Sequence, residues 1–256
     1  MTAPHLLLSE WLKLATLRST WITLGAYCAA GLLLAFAFLK VDAGIVTGAG
    51  VSAAQAGAQA VDIAASGAGM ASLFVLIAFA VVPATSEYRT GQIRATLTAA
   101  SSRPAVLAAK TAVVGAVAAV AATVTLAGGV GLSWLLAPGA DGHISLSATD
   151  WRVLGGTLLY TVLLAAMCHG LGWLIRSSAG GLVAAYGIFT IAPMVLSFVY
   201  STSWGEKLMD YWPSNIGMSL ATADPVHTWG GHWGGAAIMA GYAAVILAAA
   251  TVNLVR

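Results

Sequence analysis

Residues 21–39, 67–84, 153–175, 179–200 and 234–255 contain no Asp, Glu, Lys or Arg, and residues 105–136 contain only Lys110. A bilayer core of about 30 Å takes roughly 20 helical residues, so each of these six stretches is long enough to cross one. Each must cross as a helix, because lipid offers no water to open backbone groups. The 105–136 stretch exceeds one crossing, so the span proper is read as 107–136, with its first turns, Lys110 among them, protruding into the cytosol. A β-barrel would need alternating strands of about ten residues, and no such alternation is present. With 59% hydrophobic and 8% charged residues, the chain has too small a polar shell for a soluble fold of this length. The expected fold is therefore all-α, a polytopic membrane protein forming a single transmembrane domain over residues 1–256.

The positions of Lys and Arg set the expected orientation. If the N-terminus is cytosolic, eight basic residues (Lys13, Arg18, Arg89, Arg94, Arg103, Lys110, Arg176, Arg256) lie inside and three (Lys40, Arg152, Lys207) outside. The positive-inside bias then puts both termini in the cytosol. Seven of the nine acids fall outside, leaving only Glu10 and Glu87 within. The net charge of +2 implies no nucleic-acid partner, since the basic residues line a membrane boundary rather than form a patch. Cys28 and Cys168 both lie in predicted spans and make no disulfide framework. The first apolar stretch is too long for a signal-peptide core and is expected to remain as a helix.

Two elements are expected to lie beside the membrane rather than cross it. In residues 4–20, His5, Ser9, Lys13, Thr16 and Thr20 form a polar stripe at helical spacing, opposite Leu7, Trp11 and Leu14. That is an amphipathic interfacial helix, with Trp11 at headgroup depth and Lys13 and Arg18 suited to phosphates. It reads either as a simple anchor or as an elbow that passes movement to the first span. The second element, residues 86–103, follows span two at once with Glu87, Tyr88 and Arg89. Gly91 permits a sharp turn; Ile93, Leu97 and Ala100 then align along a short helix from which Arg94 faces away. Arg103 and Pro104 open the next helix, where proline fits the first turn. A plain solvated loop is the alternative.

The layout and the Glu87…Gly91…Leu97…Arg103 run resemble the permease subunits of ABC-2-type transporters, especially the actinobacterial type. The phrase Tyr211-Trp212-Pro213-Ser214-Asn215-Ile216-Gly217 in the last outer loop is similar to one found in that subgroup. The resemblance covers essentially the whole chain. It implies a bacterial plasma-membrane exporter whose 86–103 coupling segment (Glu87, Tyr88, Arg89, Gly91, Arg94, Leu97, Arg103) sits in a cleft of a separate ABC ATPase subunit. It also implies a second permease copy, or a paralogue, with spans two and five at the dimer seam; Phe74, Phe79, Tyr186 and Phe189 are the candidate pathway-lining residues. The chain is not itself expected to be an enzyme. It has no G-x-x-x-x-G-K-[ST] phosphate loop, none of its lysines follows a glycine, and ATP and Mg belong to the partner.

The remaining features are weaker. The 40–66 segment reads as a small Gly/Ala-rich connector, and 201–233 as an outer loop with Trp204, Trp212, Trp229 and Trp233 at interfacial depth. His227 and His232 lack a third ligand at metal spacing; no metal, cofactor or catalytic residue is assigned. His169, near Tyr160 and Thr161 in span four, reads as a structural hydrogen-bonding group. No carboxylate falls inside a predicted span, which disfavours an ion-gradient-driven transporter, and no converging acid pair or Cys/His pair favours a membrane enzyme. A non-transporting immunity or scaffold protein is the other alternative. The apolar spans suit a hydrophobic or amphipathic cargo such as a drug, antibiotic or lipid.

Overall fold

The computed structural model describes residues 3–46, 52–92, 102–136, 144–199, 202–223 and 229–255. All regular structure within these residues is helical. Helix α1 (Ala3–Thr16) is followed after one residue by α2 (Arg18–Val46). Next come α3 (Ala53–Ala71), a π-helical stretch Ser72–Leu76 and α4 (Ile77–Thr90), which form one continuous rod. Helices α5 (Arg103–Leu136) and α6 (Ala148–Ile175) follow. The next rod is α7 (Ser178–Tyr186), a second π stretch Gly187–Ile191, α8 (Ala192–Leu196) and a short 3-10 turn Ser197–Val199. Helices α9 (Ser203–Asp210), α10 (Pro213–Leu220) and α11 (Gly231–Val255) complete the described chain. Among the described residues, six rods are long and apolar enough to cross a membrane: Arg18–Val41, Ala53–Thr90, Arg103–Leu136, Ala148–Ile175, Ser178–Leu196 and Gly231–Leu254.

Helix α6 is the axis of the bundle. It packs against α3, α4, α5, α7, α10 and α11. It also supplies Trp173, Tyr160, Leu164, Met167 and His169, among the largest fully buried side chains. A helix apolar on every side suits such a position. Close approach elsewhere depends on small residues. A Cβ on Gly67 would stand 2.6 Å from the carbonyl oxygen of Gly31, so only glycine lets α2 and α3 touch backbone to backbone here.

The 40–66 segment is not simply a connector. Residues 53–66 are helical, and the rod they begin is 38 residues long, about 57 Å at about 1.5 Å per residue. Ser52 starts it with a reciprocal cap: its hydroxyl accepts from the Gln55 N–H while the Gln55 side chain accepts from the Ser52 N–H. The rod carries Asp62 and Glu87, so span two is not free of carboxylates. The described residues within 201–233 also hold structure. Thr202 caps α9, Pro213 occupies the first turn of α10, and the Trp212 indole donates to the Ile188 carbonyl at 2.8 Å.

The two π stretches lie against one another. Tyr186 donates to the Phe74 carbonyl at 2.6 Å and Thr190 to the Leu73 carbonyl at 3.1 Å. Side chains beside and within one stretch thus serve carbonyls that the wider turn of the other displaces from α-helical bonding. Deeper in the bundle, Tyr27 and Thr161 bring hydroxyls to 3.2 and 3.3 Å from Ser72, at the start of the first π stretch.

Candidate functional site

One end of the bundle gathers α1, the last turn of α4, the start of α5, the α6–α7 turn and the last turn of α11. Its centre is Lys110. Instead of protruding into solvent, Lys110 is 7% exposed. Its Nζ lies 2.5 Å from Glu10 Oε2 and 2.5 Å from Glu87 Oε1. Lys13 stands 2.7 Å from Glu10 Oε1 and 3.5 Å from Glu87 Oε1. Two carboxylates and two ammonium groups make the cluster neutral, which is how buried charge is tolerated. Burial acts to lower the Lys13 pKa, but hydrogen bonding and charge from Glu10, then from Glu87, outweigh it and hold Lys13 above its ordinary 10.5. Lys13 thus faces inward to carboxylates rather than outward to phosphates. The cluster borders a cavity of about 220 Å³ that Pro83, Ser86 and His169 also line. Glu87 Oε2 is buried there without a hydrogen-bond partner among the described residues.

His169 is held as a neutral side chain. The Trp173 indole donates to Nε2 at 3.0 Å, so Nε2 must accept; Nδ1 then carries the proton and donates to the Ala80 carbonyl at 3.0 Å. Pro83 lies within this turn of α4 and cannot donate to the carbonyl of Phe79, loosening the helix where His169 binds it. This is the structural role read from the sequence.

The neighbour of Glu87 points to a different set of partners. Tyr88 meets Trp173 edge to face at 5.6 Å and lies 5.7 Å beneath the Arg176 guanidinium. Arg176, in the left-handed region at φ 58°, caps α6 and donates to the Asn253 carbonyl at 2.6 Å. Arg103 donates to the Leu254 carbonyl at 2.9 Å. Two guanidiniums thus meet the negative, carbonyl end of α11. Gly91, at φ 72°, closes α4 in a conformation that costs glycine nothing and turns the chain away.

Of the seven proposed coupling residues, Glu87, Tyr88, Gly91 and Arg103 fall in this assembly, and Arg89 is exposed beside it. Arg94 and Leu97 lie outside the described residues. The pathway set divides. Phe79 and Phe189, 3% and 1% exposed, are sealed in the core of one chain. Phe74 is 52% exposed, and Tyr186, half-buried, donates to the Phe74 carbonyl. Glu10 and Lys110 were not among the predicted site residues. At the opposite end, His232 Nδ1 is 3.1 Å from the Ser219 carbonyl, and His227 lies outside the described residues. No group of three His, Cys, Asp or Glu side chains converges among the described residues.

The family described as ABC-2 family transporter protein matches residues 6–203. No curated protein matches the chain.

Proposed function

The chain belongs to the ABC-2 transporter family as a multi-pass membrane component, and on that premise we propose that it is the permease of an ATP-driven exporter. The proposed cargo is a hydrophobic or amphipathic compound moved out of a bacterial cell across its plasma membrane. ATP and Mg are handled by a separate ATPase subunit, and the end of the bundle that holds Lys110 faces it in the cytosol. A second copy pairs through the face bearing Phe74 and Tyr186, which are the lining positions retained.

The observation that carries this reading is the double contact of Lys110. Segment 93–101 leaves α4 at Gly91 and enters α5 just before Arg103. The α4 side is tied through Glu87 to Lys110 of α5 and onward to Glu10 of α1; the α5 side is tied through Arg103 to the end of α11. A push on that segment therefore moves four helices rather than bending one loop. Rigid-body transfer of this kind needs a joint that stays connected while the helices tilt, and charge-assisted hydrogen bonds supply it.

The test is to purify the chain with whatever ATPase subunit accompanies it, reconstitute both in vesicles, and follow ATP turnover and efflux of a lipophilic dye. Turnover should rise with the permease present. Glu87→Lys should remove most of that stimulation, and the full swap of the cluster (Glu10→Lys, Lys13→Glu and Glu87→Lys with Lys110→Glu), which makes every contact opposite in charge again, should restore much of it. The swap distinguishes lost coupling from a chain that no longer folds. Efflux that ignored ATP and followed a proton gradient would overturn the reading.

A further inference from the structure

We propose that the groove between α1, α2 and α5 is a lipid site: it takes one acyl chain of an anionic phospholipid whose phosphate meets Arg18. This needs only the membrane spans and not the export reading, so either can fail alone.

The groove has a volume of about 390 Å³, within the range of about 300–1,000 Å³ typical of ligand sites. Trp11 and Leu14 come from α1, Trp21 and Cys28 from α2, Val117 and Ala121 from α5. The walls give a ligand almost nothing to hydrogen-bond. The Cys28 thiol is turned to the Ala121 carbonyl at 3.8 Å. A hydrocarbon chain gains from burial in such a slot, while a polar occupant would lose its hydration without compensation.

The mouth selects the headgroup. Trp11 and Trp21, 42% and 57% exposed, frame it, and indoles favour the headgroup boundary. Trp21 donates to the Ala15 carbonyl at 2.8 Å, which fixes the spacing of α1 and α2 at the opening. Arg18 precedes Trp21 by three residues and Gly25 by seven, on the same face of α2 and one turn nearer the membrane edge. It is exposed and forms no ion pair among the described residues. Lys13, the nearest basic neighbour in sequence, is engaged by Glu10 and Glu87. One exposed guanidinium with no ion pair among the described residues, beside one apolar slot, matches a phosphate joined to an acyl chain.

The proposal is tested with the full chain in phosphatidylcholine vesicles carrying a trace of phosphatidylglycerol with a diazirine in one acyl chain. After photolysis, adducts should concentrate on the α1–α2 and mid-α5 peptides. Arg18→Gln should lower their yield about five-fold, the worth of one basic side chain at an anionic surface. Gly25 lines the same groove, and a Cβ built on it meets nothing within 4 Å. Gly25→Leu should therefore fill the slot and abolish the adducts without lowering the melting temperature. A phosphatidylcholine probe with the same chain should show no such enrichment. Adducts spread evenly over the outer helices, equal labelling by both probes, or yields indifferent to either substitution would each overturn the site.

Discussion

At one end of the bundle, Lys110 joins carboxylates 100 and 23 residues away in the chain. At the other, polar bonds such as that from Arg152 to the Thr222 carbonyl join helices whose closest contacts are made by shape. A Cβ on Gly156 would fall 2.1 Å from the Leu220 carbonyl oxygen, and one on Gly57 would fall 2.1 Å from that of Ser145. Local caps such as Ser147 with Asp150 finish the helices there. A lysine stem can swivel while its helix tilts and still keep its bond, whereas two backbones in contact cannot slide without separating. The first end is built to stay connected through movement, and the second to resist it.

The largest test of this contrast is Lys110→Met, which leaves the buried Glu10 and Glu87 to share the single, partly exposed Lys13. Removing one member of a buried ion pair costs about 3–5 kcal/mol, so the melting temperature in detergent should collapse. Adding Glu10→Gln and Glu87→Gln should recover much of the loss; no recovery would mean that the cluster is not held by charge balance. Next, Gly156→Ala should force α10 off α6, with an overpacking penalty of about 1–3 kcal/mol. That loss should persist at high salt. Salt sensitivity would erase the distinction between the ends.

Lys13 should show the smallest effect, since its side chain is 44% exposed; exposed pairs contribute about 0–1 kcal/mol. Its folded pKa lies above the ordinary 10.5, so its contribution is intact below that value and fades as pH rises through the folded one. Melting curves of wild type and Lys13→Gln should therefore differ at neutral pH and converge in strong alkali. Convergence on acidification alone would point to the carboxylates instead.

The six crossings were legible because length and absence of charge dictate them directly. The helix over 53–66 was hidden by Gln55, Asp62 and abundant Ala and Gly, which read as a loop. Its signal was the Ser52…Gln55 spacing, a helix-start pattern needing no hydrophobic run. The ion cluster had no local pattern, because its members come from three helices far apart in sequence. It could still have been reached by elimination. Lys110 stands in an apolar stretch and requires an acid, and the charge bias had left only Glu10 and Glu87 on that side. The division of Phe79 and Phe189 from Phe74 and Tyr186 was beyond reach, since apolar spans carry little rotational information.

The facing π stretches have a mechanical consequence. Each holds a surplus residue within its rod, in effect a dislocation. Moving such a dislocation one position along turns the passed segment by about 100° and shifts it by about 1.5 Å. If one moved alone, Phe74 and Leu73 would be carried away from the hydroxyls of Tyr186 and Thr190. The two bonds therefore tie the register of span two to that of span five.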